Sequence, residues 1–485
     1  MVNSQSQAPL LETLQHCARS DRAPFYAPGH KGGRGIAQSL GDLCGQAVFQ
    51  ADLPELPELD NLFAPQGAIA QAQQLAAQAF GADRTWFSVN GSTGGAIAGI
   101  LATLAPGEKI ILPRNTHQSA ISGLILSGAV PVFINPEYHP EWDLPLSITP
   151  EAVAAALAQH PDAKAVMMVY PTYQGICGDI EAIADIVHQQ GIPLLVDEAH
   201  GPHFAFHPDL PTPALQAGAD LSVQSIHKVL GAMTQASMLH LQGHRIDPQR
   251  ISAALQLIHS TSPSYLLLAS LDAARRQMAL HGEALMERTL NLADDARARL
   301  EAIQGISVLE SSPPKRAGFD RGDRTRLTVK VTQLGLNGYQ ADEILHEKLG
   351  VTCELPSARH LTFIISLGNR GDDIERLVAA FKTLSAHYRR PPASPPPCPP
   401  APLPARPLSP REAFFAPVET VEIRQCVGRI SAELVCPYPP GIPVLMPGET
   451  ICAAAIDYLQ QVRANGGRIT GLADPTLQTI QAIAG

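Results

Sequence analysis

The apolar and polar residues between positions 68 and 240 alternate between helical and strand-like patterns. Ala68 to Phe80 is rich in alanine and precedes Gly81, which predicts a helix with a glycine C-cap. Short apolar runs typical of buried strands follow: TWFSV, KIILP, AVPVFI, AVMMVY, PLLVD and LSVQS. Because strands alternating with helices indicate βαβ units, we predict an α/β fold built on a mostly parallel sheet.

The pattern changes after residue 265. Leu266 to Gln304 predicts one long helix, and the runs RLTVKV, YQADEILHEKL, LTFIISL and IERLVAAFKTL predict a smaller α+β domain. Proline marks the next boundary, because 11 of the 43 prolines fall between Pro391 and Pro410. Such a segment favours extended polyproline, and we interpret it as a linker; a docking ligand for a proline-recognition domain is the alternative.

These patterns divide the chain into five parts. The predicted parts are an N-terminal segment (1–65), a large domain (66–265), the long helix with the small α+β domain (266–390), the proline-rich linker (391–410) and a C-terminal α+β domain (411–485).

Composition narrows the class of partner. The 485 residues are 45% hydrophobic and 16% charged, which disfavours global disorder. A net charge of −10 argues against nucleic acid as a partner, so a small molecule is expected. Eight cysteines without a C-x-x-C pair argue against a zinc knuckle or a disulfide framework. With neither a signal peptide nor a long apolar run, we expect a soluble cytoplasmic protein without a membrane partner.

Two strand ends carry the residues with the clearest chemistry. Asp197 ends PLLVD, and Lys228 follows LSVQS within Ser225-Ile226-His227-Lys228. Ligands of open parallel sheets bind at the carboxyl ends of strands, so both side chains are candidates for one crevice. A lysine amine condenses with the aldehyde of pyridoxal phosphate (PLP), and a carboxylate can keep the pyridine nitrogen protonated. Taken singly, the structural interpretation is favoured for each residue: Lys228 caps a strand and Asp197 opens a turn.

Further polar residues follow other strands. Asn90 to Gly95 (NGSTGG) lies between a strand and a helix, where it suits phosphate or is simply a capped turn. His117 follows KIILP and can stack on an aromatic cofactor or start a helix. His200, His203 and His207 invite a metal interpretation, but Gly201-Pro202 makes one continuous helix unfavourable, so we expect no metal site.

Six motifs together resemble one family. They are YAPGHKGG, VNGSTGG, RNTHQS, VDEAHGPH, SVQSIHKVLGAMTQASMLH and, in the tail, PYPPGIPVLMPGE. In this order they resemble the Orn/Lys/Arg decarboxylase family, bacterial PLP enzymes with the aspartate-aminotransferase type of fold (fold type I). The resemblance runs from about residue 8 to about 475. It implies that 66–265 is the PLP-binding domain, and that the N-terminal wing domain of the long family members is missing.

The resemblance also implies a role for each site residue. Lys228 would bind the cofactor covalently, Asp197 would pair with its pyridine nitrogen, and His117 would stack on its ring. Ser92, Thr93 and Ser225 would bind the phosphate. His227 would support the phosphate and assist proton transfer, and His200 would lie close to the cofactor. Glu449 is a candidate for the distal cation of the substrate, the alternative being a solvated glutamate near a helix start.

The predicted activity is the PLP-dependent decarboxylation of arginine, lysine or ornithine to agmatine, cadaverine or putrescine, within polyamine biosynthesis. The motifs near the cofactor do not rank the three substrates. The resemblance implies a homodimer or a higher homo-oligomer. Two alternatives stay open: an aminotransferase or another lyase on the same fold, and a catalytically silent regulatory homologue.

Overall fold

The computed structural model describes residues 4–312, 316–391, 407–438 and 441–485. They form two compact units, each made of two stretches of chain. The first unit contains Met1–Ala102 and Val196–Met286; the second contains Thr103–Leu195 and Glu287–Gly485. No helix among the described residues is long and apolar enough to cross a membrane.

Helices occur along the whole described chain. They are α1 (Pro9–Ala18), α2 (Gln38–Cys44), α3 (Gln46–Ala51), α4 (Ala68–Phe80), α5 (Gly91–Thr103), α6 (Gln118–Ser127), α7 (Pro150–Gln159), α8 (Ile180–Gln189), α9 (Ile226–Val229), α10 (Pro248–Ile258), α11 (Tyr265–Glu301), α12 (Gly338–Leu349), α13 (Gly371–His387), α14 (Pro410–Phe415) and α15 (Ala453–Ala464).

Strands lie between most of these helices. They are β1 (Arg84–Ser88), β2 (Lys109–Pro113), β3 (Val130–Ile134), β4 (Tyr138–His139), β5 (Leu144–Pro145), β6 (Ala163–Val169), β7 (Ile176–Cys177), β8 (Leu194–Asp197), β9 (Leu221–Gln224), β10 (Ser237–Leu241), β11 (Ser307–Val308), β12 (Arg321–Gly322), β13 (Arg326–Lys330), β14 (Leu355–Pro356), β15 (His360–Ile364), β16 (Val418–Glu422), β17 (Cys436–Tyr438), β18 (Arg468–Thr470) and β19 (Thr479–Ile483).

In the first unit, β10 pairs antiparallel with both β1 and β9, and the end of β8 lies next to β9. The sequence patterns did not predict β10, which occupies the SMLHL segment of a motif interpreted only for its chemistry. Helix α4 has the predicted bounds, and Gly81 ends it in the left-handed conformation with φ 71°. The predicted helix stop is therefore confirmed.

In the second unit, β2 is flanked by β3 and β6, and both pairs are parallel. Helices α6, α7 and α8 connect the strands of this region, which is the βαβ pattern that the sequence predicts. The predicted strands AVMMVY and PLLVD match β6 and β8. Apart from the exposed Lys164 of β6, the residues of these two strands have little exposed surface. The α/β assignment is confirmed.

Two separate hydrophobic cores lie in the part of the second unit that follows residue 286. Strands β11, β13, β15 and β14 form a four-stranded sheet in that order, and its core includes Leu300, Leu327 and Phe381. The C-terminal core includes Leu445, Leu459 and Ile480. The five predicted parts divide the chain differently from the two units, and their boundaries stay predictions. Residues 392–406 of the predicted linker lie outside the described residues.

Within the four-stranded sheet, His360 is a buried histidine whose two ring nitrogens have no hydrogen-bond partner among the described residues. It is 1% exposed, and its ring centroid lies 6.4 Å from that of Trp142. Burial lowers the pKa of His360 to about 3, and the charges of Arg359 and Lys330 act in the same direction. The folded protein therefore resists protonation of this ring.

We expect His360→Leu to flatten the acid side of the stability profile. Since the folded pKa lies below the unfolded value of about 6.5, the folded state binds fewer protons between those pH values. The stabilising effect of the neutral ring is complete above pH 6.5 and is lost as the pH falls towards 3. Thermal unfolding from pH 7 to pH 4 measures this; the exposed His244→Gln is the control, and an unchanged acid slope in His360→Leu would contradict the assignment.

Candidate active site

In the first unit, the end of β8 and the neighbouring strand β9 lead into the residues that the sequence singles out. Strand β8 ends at Asp197, which is 7% exposed. The Oδ1 atom of Asp197 accepts a hydrogen bond from the Ala199 N–H at 3.2 Å. The N–H of Glu198 donates to the Val223 carbonyl on β9 at 3.0 Å, so the ends of the two strands are tied together. A buried carboxylate thus lies on the strand next to the one that leads to Lys228.

Lys228 lies in the short helix α9, and Ser225 is its N-cap residue. The Nζ atom of Lys228 is 2.9 Å from Nε2 of His200, which is itself 5% exposed. A hydrogen bond at this distance requires one nitrogen to donate and the other to accept. The pair therefore places an amine, the nucleophile that an aldehyde needs, beside a group that can share its proton.

His227 precedes the lysine and is half-buried. Burial, and then the positive charge of Lys228, lowers the pKa of His227 below its ordinary value. Its backbone N–H donates to the Ala236 carbonyl at 3.3 Å, which fixes the backbone on which Lys228 is carried. The imidazole is consequently uncharged at neutral pH and is able to accept a proton.

The glycine-rich NGSTGG segment forms the first turn of α5 and not a separate turn before it. The helix begins at Gly91, whose φ is +66°, so Ser92 and Thr93 lie at its N-terminal end. The Ser225 hydroxyl donates to Oγ of Ser92 at 2.8 Å, which joins the start of α5 to the end of β9. Hydroxyl groups at the positive end of a helix are a donor set that fits a phosphate.

The position of α5 depends on Gly95, which packs against β9. A Cβ atom on Gly95 would lie 2.5 Å from Cγ1 of Val223, closer than two carbon atoms can approach. Glycine here therefore allows the helix to approach the strand. The same contact keeps Ser92 within hydrogen-bonding distance of Ser225.

His117 belongs to the second unit, where it is the N-cap of α6. Its Nδ1 accepts from the Ser119 N–H at 3.2 Å. Gly441 of the PYPPGIP motif packs against the ring: a Cβ atom there would lie 3.5 Å from Nε2 of His117. The Gln118 N–H also donates to the Gly441 carbonyl at 3.2 Å. The structure thus brings the RNTHQS motif and the C-terminal motif together; Pro439 and Pro440 of the latter lie outside the described residues.

Glu449 is paired with Arg114 in the same unit. Its Oε2 accepts from Arg114 Nη2 at 3.1 Å and from the Met446 N–H at 3.0 Å. Arg114 also donates to the carbonyls of Pro443 and Val444 at 3.1 and 3.0 Å. Burial lowers the pKa of Arg114, and the charge of Glu449 opposes that effect. The ion pair therefore holds the loop 443–449 to the residue that follows β2.

These contacts bear on the predicted role of Glu449. The residue is 2% exposed, so the alternative of a solvated glutamate is wrong. A carboxylate already paired with a buried guanidinium is a poor receptor for a second cation. Its contact with the distal cation of a substrate stays a prediction, and the observed pairing favours a structural role.

Family profiles match two long segments of the chain. The profile of the Orn/Lys/Arg decarboxylase, major domain, matches residues 8–319, and that of the Orn/Lys/Arg decarboxylase, C-terminal domain, matches residues 402–481. The chain belongs to the Orn/Lys/Arg decarboxylase family. This membership confirms the predicted family and the predicted enzyme class, a decarboxylase of basic amino acids.

Two relatives of similar length carry the name arginine decarboxylase. An arginine decarboxylase of Bacillus subtilis (strain 168) is 39% identical over 482 residues, which cover 99% of this chain and 98% of the relative. An arginine decarboxylase of Halalkalibacterium halodurans is 39% identical over 484 residues and 99% of both chains.

Solved structures share the fold of this family member. Lysine decarboxylase A from Pseudomonas aeruginosa has a TM-score of 0.83 at 22% identity, covering 99% of this chain and 81% of that one. The constitutive lysine decarboxylase of E. coli has a TM-score of 0.81 at 20% identity, with coverage of 99% and 82%. The predicted fold class, the type I fold of PLP enzymes, is confirmed.

Two parts of the site were missed by the sequence patterns. Arg114 opens the RNTHQS motif, but nothing in its sequence context indicates the ion pair with Glu449. Glu198 follows Asp197, and from the sequence it is expected only to point to the opposite face of the strand. The one sequence signal that could have drawn attention to Glu198 is a second charged residue directly after an apolar strand, where charged side chains are rarely buried.

We expect Gly95→Ala to weaken both folding and cofactor binding. The added methyl group pushes α5 away from β9, at about 1–3 kcal/mol for overpacking, and separates Ser92 from Ser225. Val223→Ala in the same chain should restore part of both properties, because it removes the atoms that clash. Thermal unfolding and fluorescence titration with PLP measure this, with Gly368→Ala, where a Cβ meets nothing within 4 Å, as control. Normal stability and affinity in Gly95→Ala would refute the packing argument.

We expect Glu449→Gln to lower stability without changing KM for the amino acid. The amide keeps the shape but removes the negative charge that is paired with the partly buried Arg114, at about 1–3 kcal/mol. Thermal unfolding and steady-state kinetics separate the two roles, with the exposed Glu422→Gln as control. A large rise in KM at unchanged stability would instead assign Glu449 to the substrate.

Proposed function

We propose that this protein is a PLP-dependent arginine decarboxylase, which converts L-arginine and a proton into agmatine and CO2. The observation that carries the proposal is the pairing of Lys228 Nζ with His200 next to the strand that ends at Asp197. The choice of arginine is supported by relatives named arginine decarboxylase, which are 37–39% identical over nearly the whole chain. Relatives named lysine decarboxylase are 25–26% identical.

The residues of the first unit fit PLP in three chemical respects. The amine of Lys228 is suited to bind the aldehyde, and the buried Asp197 carboxylate is suited to a protonated pyridine nitrogen. The hydroxyl groups of Ser92, Thr93 and Ser225 at the start of α5 are suited to the phosphate. His117 is assigned to the ring by the family resemblance. When bound, PLP supplies an electron sink for the charge left on Cα as CO2 departs.

Within this proposal each side chain has a task of its own. The Asp197 carboxylate would pair with the protonated pyridine nitrogen of PLP. Because Asp197 is buried, this attraction would be stronger than it is in water. His200 shares a proton with Lys228 Nζ and keeps that nitrogen oriented. Lys228 would hold PLP, and its amine, once free, would be able to return a proton to Cα. The uncharged His227 assists by taking up or giving back a proton beside it.

The remaining expectations belong to this proposal as well. Agmatine is a precursor of polyamines, which supports a role for this enzyme in polyamine biosynthesis. The location in the cytoplasm and the homodimer stay predictions.

Purified protein reconstituted with PLP should release CO2 and agmatine from L-arginine, and faster than the corresponding amines from lysine or ornithine. Lys228→Ala should reduce turnover by more than about a thousandfold, because the nucleophile is lost. Borohydride reduction followed by peptide mapping should find PLP attached to Lys228. The exposed Lys164→Ala is the control. A label on another lysine, or transamination without release of CO2, would overturn the proposal.

A further inference from the structure

Glu198 is a fully buried carboxylate surrounded by hydrogen-bond donors. Its Oε1 accepts from the Ala214 N–H at 2.9 Å, and its Oε2 accepts from Ser222 Oγ at 2.5 Å and from Gln224 Nε2 at 2.9 Å. No cationic side chain forms an ion pair with Glu198 in the part of the chain that the structure describes. Three hydrogen bonds therefore hold its charge without a counter-ion.

The hydrogen bonds continue from Glu198 across two more strands. Because the Gln224 amide nitrogen donates to Glu198, its Oε1 is left to accept from Nε2 of His240 at 3.1 Å. His240 then accepts at Nδ1 from Thr85 Oγ1 at 2.8 Å. We name these residues, with Ser222, the Glu198 chain; none of its five side chains is more than 3% exposed. Because the Glu198 carboxylate can only accept, it determines which group donates and which accepts in each of the other hydrogen bonds.

The Glu198 chain lies directly behind the residues assigned to the cofactor. Glu198 follows Asp197, and Gln224 precedes Ser225 in sequence. Since side chains alternate along a strand, Ser222 and Gln224 face away from the side on which Val223 meets α5. The chain thus fixes the ends of β8 and β9 from the face opposite to α5.

A carboxylate in this position is unfavourable for folding. Burial raises the pKa of Glu198 to about 7, and the three hydrogen bonds only partly oppose that effect. An apolar residue of similar volume would avoid the penalty of a buried charge. A local conflict of this kind is expected where a residue serves a functional site and not stability.

We propose that Glu198 is a positioning residue, which acts through the Glu198 chain to hold Asp197 and Lys228 in their places for the cofactor. The inference rests on the proposed function, because it needs PLP as the ligand of that site. A carboxylate accepts hydrogen bonds and cannot donate them, so the charged form gives the chain one arrangement.

Protonation of Glu198 removes that single arrangement. The new hydroxyl needs an acceptor, whereas Ala214, Ser222 and Gln224 present donors. An acceptor becomes available only if the Ser222 hydroxyl rotates or the Gln224 amide turns over, and the second change requires the other tautomer of His240. The ends of β8 and β9 are consequently expected to lose order as Glu198 gains a proton.

Other titratable groups around Glu198 do not replace it in this role. On its own segment they are Asp197, His200 and His203. Before and after β9 they are Asp220, His227 and Lys228, and on β10 the group is His240. Burial keeps the pKa of His240 at about 3, so that ring stays neutral near pH 7. Within the Glu198 chain, the group that ionises near neutral pH is therefore Glu198.

The test compares Glu198→Gln with Glu433→Gln. Glu433 is a matched control, since it is 8% exposed, its pKa is raised by burial, and it accepts from the Ala473 and Gln481 N–H groups in the C-terminal domain. For both variants and the wild type, the Kd of PLP is measured from pH 5.5 to 8.5 on the full-length apoprotein, together with visible circular dichroism, thermal unfolding and steady-state kinetics.

Glu198→Gln is expected to raise the Kd of PLP about tenfold at pH 8 and to lower kcat, while KM for arginine stays within about twofold. In the wild type the Kd should rise as the pH falls through about 7. This step should be missing in Glu198→Gln and present in Glu433→Gln. A merely structural residue would lower thermal stability and leave the pH profile of the Kd unchanged.

Two results would overturn the inference while leaving the proposed function intact. One is wild-type affinity and pH profile in Glu198→Gln; the other is the same loss of affinity in Glu433→Gln. If the wild type itself neither binds PLP nor decarboxylates arginine, the proposed function fails first. The wild-type measurements therefore distinguish the two failures.

Discussion

The hydrogen-bonded adjacency of β8 and β9 is the constraint on which the candidate site depends. It sets the separation between the carboxylate at the end of one strand and the residues that follow the other. The Glu198 N–H donates a hydrogen bond to the Val223 carbonyl, which joins the end of β8 to β9. Everything else in the first unit adds to this frame: α5 on one face through Gly95 and Val223, and the Glu198 chain on the other.

Three buried glutamates show how differently this protein compensates a negative charge. Glu449 has a guanidinium partner, Glu433 has backbone N–H groups, and Glu198 has two side-chain donors and one backbone donor. The pairing of Glu449 with Arg114 fixes the loop 443–449. Burial raises the pKa of both glutamates that are held by neutral donors, and it raises that of Glu198 to about 7, so the charge of Glu198 is sensitive to pH near neutrality.

The C-terminal motif has a structural explanation that its sequence did not suggest. Gly441 packs on His117, and Arg114 binds the backbone of the loop that contains Pro443 and Val444. The C-terminal motif and the segment after β2 therefore pack together within the second unit. Loss of the buried Glu449 carboxylate would disturb these contacts through Arg114.

The sequence by itself determined the α/β class, six strands, helix α4 with its stop at Gly81, the long helix α11 and the positions of Asp197 and Lys228 at strand ends. These follow from local patterns, because apolar periodicity, glycine and the residues after a buried strand are all read within a few positions. The antiparallel strand β10 was missed, because nothing in the sequence around SMLHL indicates that it pairs with β1 and β9. Tertiary structure alone decided the pairing of Lys228 with His200, of Arg114 with Glu449, and of Glu198 with Gln224. Each joins residues 26 to 335 positions apart, and a hydrogen bond over such a separation depends on the folded path of the chain and not on local sequence.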